Sequence, residues 1–327
     1  MKSKRNINTK EICDQIKKGN ITALSKAITL SESNINSDQE LANKILAKLK
    51  TKNNDSIRIG ITGVPGAGKS TFIESFGNHI TNLGLKLAVL TIDPSSSVTK
   101  GSILGDKTRM ETLSANKNVF IRPSPASNFQ GGVGKNTRES IFLCESAGYD
   151  IILIETVGVG QNEISVAEMV DFFLLLKISG SGDELQGIKR GIIEMSDLIA
   201  INKCDGDNVK DSIKAKNEFK LALQLFPKKK SNWKPHVLTC SSLTGEGLAE
   251  IWECITNYVN LTKKNNYFYE NRINQNKSWL LQIIDYSLRK SFFNRKSIKI
   301  KLNNLIKKIE EQKISIFEAS RKILSEI

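Results

Sequence analysis

Ile57-Arg-Ile-Gly-Ile-Thr62, running directly into Gly63-Val-Pro-Gly-Ala-Gly-Lys-Ser70, is the stretch on which the reading of this sequence turns. The apolar run predicts a strand, and the following apolar spacing predicts a helix over 69–82. Between them lies a full G-x-x-x-x-G-K-S loop. A glycine-rich turn at a helix start converges backbone N–H groups on a phosphate, and the helix N-terminus adds its positive dipole end. Gly63, Val64, Pro65, Gly66, Ala67 and Gly68 are the candidate cradle. Lys69 is placed to reach the β- and γ-phosphate oxygens, Ser70 to offer its hydroxyl to Mg²⁺, and Thr71 closes the set of nucleotide contacts.

Working outward, short apolar runs alternate with amphipathic segments. Strands are predicted at 57–62, 87–92, 119–122, 151–155, 172–178, 198–202 and 237–240. Helices are predicted near 69–82, 136–147, 184–194, 208–225 and 246–259. This alternation implies βαβ crossovers and a mostly parallel sheet covered on both faces, an α/β fold of the P-loop NTPase class. Residues 1–52 read as a helical extension of two short helices separated by the polar stretch 31–37. Residues 53–260 read as the nucleotide domain. Residues 261–327 read as a helical arm whose Trp279, Leu280, Ile283, Ile284 and Leu288 form an apolar stripe.

The 327 residues carry a net charge of +14, with 39% hydrophobic side chains. That excess invites a nucleic-acid or membrane reading, but its distribution argues otherwise. The first 52 residues are net +6, the last 67 are net +9, and the middle is net −1. Solvated helix faces explain the ends, so neither nucleic acid nor membrane is expected as a partner. The longest apolar run, Asp171-Phe-Phe-Leu-Leu-Leu-Lys177, is too short to cross a bilayer. Met1-Lys-Ser-Lys-Arg-Asn-Ile lacks the apolar stretch of a secretory signal, and Glu11 and Asp14 come early for a transit peptide. Five scattered cysteines and two histidines exclude a disulfide scaffold or zinc module, so a soluble, cytoplasmic chain is expected.

The base is read from Asn202-Lys203-Cys204-Asp205, at the end of a predicted strand. A carboxylate there accepts both the ring N–H and the exocyclic amine of guanine, a donor pair adenine lacks. Thr239-Cys240-Ser241-Ser242, after the next strand, is placed for a backbone N–H to meet the guanine carbonyl. The expected nucleotide is therefore GTP or GDP. Ile151-Ile-Leu-Ile-Glu155-Thr-Val-Gly158 resembles D-x-x-G with Glu155 in place of Asp. Glu155 is thus a candidate to ligate Mg²⁺ directly, to ligate it through water, or to orient the attacking water. Asp93 and Asp106 are further metal candidates, with capping or turn formation as the alternative. Small signalling GTPases follow this glycine with a water-orienting Gln. Val159 stands there instead, with Gln161 two residues on. Slow intrinsic hydrolysis, completed by a conformational change or a partner, is expected.

Three longer stretches go beyond generic GTPase motifs. They are 91–110, Glu155-Thr-Val-Gly-Val-Gly-Gln-Asn-Glu163, and Gly180-Ser-Gly-Asp-Glu-Leu-Gln-Gly-Ile-Lys-Arg-Gly191. Together they resemble the MeaB/ArgK family of G-protein chaperones of methylmalonyl-CoA mutase. The resemblance implies a homodimer formed through the C-terminal helices. It also implies a GTPase switch that gates adenosylcobalamin loading of the mutase and protects or reactivates that enzyme. It implies a Mg²⁺ shell of Ser70, Asp93, Asp106 and Glu155, and switch segments 93–110, 156–170 and 178–190. The last of these brings Lys189 to the nucleotide, as a cation that would act as an arginine finger acts elsewhere. Departures from the family pattern are Ile178-Ser-Gly-Ser-Gly182 where Pro-Gly-Ala-Gly is usual, Lys100 for Gly, Ser127-Asn128 near a usual basic-Gly pair, and Cys204 for Ala. A nickel-type metal-delivery GTPase would need a Cys/His constellation that is not visible, and a kinase would need an acceptor motif.

Overall fold

The computed structural model describes residues 8–49, 55–93, 110–125, 132–156, 162–180 and 190–325. The strands are β1 (Ile57–Gly63), β2 (Leu87–Asp93), β3 (Val119–Pro125), β4 (Ile151–Glu155), β5 (Phe172–Ile178), β6 (Leu198–Asn202) and β7 (His236–Thr239). They form one parallel sheet in the order β3-β2-β4-β1-β5-β6-β7. The phosphate-loop strand β1 therefore lies centrally, between β4 and β5. Its register puts Ile61 beside Glu155 and Gly63 beside Leu176, so the candidate groups gather at one carboxyl edge.

The helices in chain order are α1 (Thr9–Lys17), α2 (Ile21–Glu32), α3 (Asn36–Lys48), α4 (Lys69–Asn82), α5 (Glu111–Ser114), α6 (Gly132–Ala147) and α7 (Asn162–Ala167). They continue with α8 (Arg190–Met195), α9 (Val209–Leu223), α10 (Leu248–Lys264), α11 (Tyr267–Asn294), α12 (Lys296–Glu310) and α13 (Ile316–Leu324). Side chains alternate across each strand. Ile59 and Ile61 of β1, with Val89, Leu153 and Leu174, pack under Phe72, Phe76 and Ile80 of α4 and Ile251, Ile255 and Tyr258 of α10. On the opposite face Ala88, Leu90, Ile152, Ile154 and Phe173 pack under α6 together with Ile12, Ile16, Leu24, Ile28 and Ile45 of α1–α3. Residues 199, 201 and 237 continue that face under Ala215 and Phe219 of α9.

The amino-terminal segment holds three helices where the sequence pattern predicts two. The first predicted helix breaks at Lys18-Gly19-Asn20. There the Gly19 amide closes on Ile16 O at 2.8 Å, and the Asn20 side chain caps α2 by accepting from the Ala23 amide at 2.9 Å. An Asn cap of this kind contributes about 1 kcal/mol. The helix predicted over 184–194 falls partly outside the described residues, where α8 begins at Arg190.

The chain divides into two compact units, one ending at Gln275 and one beginning at Asn276, with the border inside α11. In the first unit, Arg272 ties the start of α11 to the amino edge of the sheet. Its Nη2 donates to Asp171 Oδ2 at 2.6 Å and its Nε to Asp171 Oδ1 at 2.8 Å, while Arg58 pairs bidentately with Glu145 at 2.8 and 2.9 Å. In the second unit, Ile298 and Leu305 of α12 pack on Ala319 and Ile323 of α13. No helix among the described residues is long and apolar enough to cross a membrane.

Candidate nucleotide-binding site

Strand β1 ends in the loop 63–68, and α4 begins at Lys69 with Gly68 as its N-cap. Gly68 takes φ +83°, and a Cβ there would stand 2.9 Å from Asn202 Nδ2. Both the left-handed backbone and the close approach of Asn202 require glycine. The Ala67 amide closes on Val64 O at 3.2 Å, which holds the loop curled. Lys69 Nζ donates to Gly63 O at 2.8 Å and Val64 O at 3.3 Å, folding its ammonium back over the loop. Burial lowers its pKa, and the carboxylates of Glu155 and Glu163 oppose that shift. An incoming phosphate would supply the same support more strongly. Ser70 is half-buried in the first turn of α4, and Thr71 is exposed beside it.

Asn202, at the end of β6, joins the loops. Its Nδ2 donates to Ala67 O at 2.9 Å. Its Oδ1 accepts from the Ser242 amide at 3.1 Å, the Ser242 hydroxyl at 2.8 Å and the Cys240 thiol at 3.7 Å. Burial pushes the Cys240 thiol up to about 12, which keeps it a donor. Ser241 Oγ donates to Asp205 Oδ2 and itself accepts from the Leu243 and Thr244 amides at 3.2 and 3.1 Å. That bond fixes the orientation of the Asp205 carboxylate. The amides of Cys240 and Ser241 donate to Ile201 O at 2.8 Å and Glu246 O at 2.9 Å. Of the three candidate amides, only that of Ser242 is held by a side chain and not by main chain, so it is the one that can turn to a guanine carbonyl.

On the phosphate side, Glu155 ends β4 in a buried position next to β1, and Thr156 Oγ1 donates to Thr62 Oγ1 at 2.9 Å. Backbone pairing puts Asp93 at the end of β2, opposite Pro125. The Asp93 side chain lies outside the described residues, as do Asp106, Val159, Gln161 and Lys189. Among the described residues no cluster of three or more His, Cys, Asp or Glu side chains forms a ready metal cage.

Two participants escape the sequence reading. Asn208, just past the base-reading loop, accepts from Ser179 Oγ at 2.7 Å and donates to Lys203 O at 2.7 Å. It thus connects the end of β5 to Lys203, which sits at φ +59°. Glu163 is buried in the first turn of α7, within electrostatic reach of Lys69. Its place inside the 155–163 stretch was the one available sign.

The family model for methylmalonyl Co-A mutase-associated GTPase MeaB matches residues 24–297. The chain belongs to the MeaB family. Its relatives include the GTPase ArgK of Escherichia coli, 46% identical over 266 residues, covering 81% of this chain and 80% of that protein. The mouse methylmalonic aciduria type A homolog, mitochondrial, is 43% identical over 302 residues, covering 89% and 73%. A crystal structure of LAO/AO transport system kinase superposes with a TM-score of 0.75 at 34% identity, covering 98% of each chain. The MeaB-family assignment accounts for the seven-stranded parallel sheet and makes this chain a P-loop GTPase, with GTP and GDP as its nucleotides. The family's description carries an association with methylmalonyl-CoA mutase.

Proposed function

We propose that this MeaB-family chain is a GTP-hydrolysing switch that gates adenosylcobalamin loading of methylmalonyl-CoA mutase and protects or reactivates that enzyme. The observation that carries the reading is the Asn202 carboxamide, which fixes the phosphate loop and both base-reading loops as one site. Asp205, oriented by Ser241, reads guanine. Lys69 leaves the carbonyls of Gly63 and Val64 for the β- and γ-phosphates. Ser70 and Glu155 have the hard oxygen chemistry that Mg²⁺ takes, and we assign Asp93 and Asp106 to complete its shell. When bound, the ion neutralises charge building on the phosphate oxygens. Lys189 supplies a further positive charge when the mutase engages residues 178–190, which raises a slow intrinsic rate. Free thiols at all five cysteines fit a reducing, cytoplasmic setting.

The homodimer belongs to the same reading. Leu280, Leu281, Ile284 and Leu288 leave an apolar stripe exposed along α11, and Phe317 of α13 is 86% exposed. Such a surface calls for a partner.

The test combines nucleotide titration with mutase capture. GTP is expected to bind at micromolar or tighter Kd with discrimination against ATP; equal affinities would remove the guanine assignment. Purified mutase is expected to be retained differently by the GTP and GDP forms, and no retention in either would remove the mutase as partner. Lys189→Ala is expected to bind GTP normally and to lose the mutase-stimulated rate. An unchanged stimulated rate takes Lys189 out of the mechanism.

A further inference from the structure

Glu163 is a buried carboxylate that the assignments above leave without a role. It is 4% exposed, and its Oε2 has no hydrogen-bond partner among the described residues. A buried polar atom left without a partner costs on the order of 1–3 kcal/mol. Native structures keep such atoms chiefly where a ligand, ion or water completes them.

Its position follows from how α7 lies on the sheet. α7 leads from the carboxyl edge of β4 back towards the start of β5, and β1 lies between those two strands. α7 packs Val166 on β1 so closely that a Cβ built on Gly60 would stand 3.0 Å from Val166 Cγ1. Glu163 comes three residues before Val166, about 4.5 Å nearer the helix start. That puts it above the last residues of β1, where Gly63 opens the phosphate loop. The electrostatics agree, because Glu163 acts together with Glu155 on the Lys69 ammonium.

We propose that Glu163 is a catalytic residue of GTP hydrolysis, its Oε2 accepting a hydrogen bond from the water that attacks the γ-phosphorus. It supplies the polar atom that Val159 lacks. As the water oxygen bonds to the γ-phosphorus, the bond from that phosphorus to the β–γ bridging oxygen breaks and its electron pair leaves on GDP. The water's proton passes by way of Oε2 to the departing phosphate. This rests on the Gly63–Ser70 loop seating the triphosphate, so binding and turnover are measured separately.

The experiment uses full-length Glu163→Gln and Glu163→Leu, with single-turnover GTP hydrolysis, GTP affinity, Mg²⁺ titration and thermal unfolding without nucleotide. The Leu variant is expected to lose about a hundredfold in rate and the Gln variant about tenfold or more. GTP affinity stays within about threefold in both, because the residue acts on water and not on the ground-state nucleotide. The Leu variant melts at or above the parent, since it removes an unpaired buried oxygen. A rate within about threefold of the parent for both variants overturns the proposal. So does a rate restored by higher Mg²⁺, which would make Glu163 a metal contact. A fall in melting temperature with loss of GTP binding in both variants would mark a structural residue and overturn it too. If the parent itself fails to bind GTP, the loop assignment falls, and the proposal falls with it.

Discussion

At Asn202 a single carboxamide makes four hydrogen bonds, to Ala67, Cys240 and twice to Ser242, so removing it would disconnect the 63–68 loop from the 239–242 loop. Another buried side chain sets a dependence on pH. Burial lifts the Glu139 carboxyl to about 7, against the attraction of Lys135 at 3.7 Å. In the unfolded chain the same carboxyl titrates near its ordinary value of about 4.3. Between those values the folded chain binds the extra proton, so this group's contribution to stability is present at low pH and is lost as pH rises towards 7. The full loss is about 4 kcal/mol. Glu139→Gln is therefore expected to melt higher than the parent at about pH 8, with the gain shrinking towards about pH 5. A gain that does not change with pH would mean that Glu139 is already neutral or solvated throughout.

At the scale of elements, the carboxyl ends of β5 and β6 are held together through Asn208. Lys203 occupies a left-handed conformation that a non-glycine residue adopts at a cost, and the bond from Asn208 Nδ2 to its carbonyl holds it there. Asn208→Ala is expected to weaken GTP binding by about tenfold, the equivalent of one good hydrogen bond. Ser179→Ala should reproduce part of that loss, measured by displacement of a fluorescent guanine nucleotide. An Asn208→Ala chain with parental affinity would mean that Lys203 keeps its conformation unaided. The strands were legible because β4, β5 and β6 are mostly apolar runs buried on both faces, and the 63–68 turn because its glycines, two at positive φ, stand between an apolar run and a helix start. The break between α1 and α2 was overlooked because Ile12 and Ile16, and Ile21 and Leu24, are each helically spaced, although the five-residue step from Ile16 to Ile21 across Gly19 is not. Glu163 and Asn208 were hidden for another reason. Their roles depend on which strand end or helix turn faces them, and that is set by crossings between elements far apart in sequence.

For the whole molecule, the buried ion pairs of Arg272 decide where the chain can be cut. Arg272 neutralises Asp171, donates to Ser56 O at 2.5 Å and covers Phe268, and Gln275 Nε2 donates to Val170 O at 2.8 Å. Removing only Arg272 would leave Asp171 as an unpaired buried charge, which costs about 3–5 kcal/mol. A chain ending at Gln275 is thus expected to fold, bind GTP and sediment as a monomer, having lost the exposed apolar residues of α11 and α13. A chain ending at Lys264 is expected to melt lower by roughly the cost of that charge. A persistent dimer in the chain ending at Gln275 would put the interface on the first unit.

The packing of α1–α3 has a consequence in time. Those helices leave the ribosome before the sheet does, yet the surface against which α2 packs Leu24 and Ile28 is made in large part by α6 and β3, which follow much later in the chain. Glu32 likewise waits for Arg122 and Ser124 of β3. Nascent α1–α3 can pack on one another, but the apolar face they turn to α6 stays uncovered until that helix has been synthesised, the condition in which growing chains recruit holding factors. The face of α1–α3 that meets α6 is thus completed only after α6 has joined the sheet.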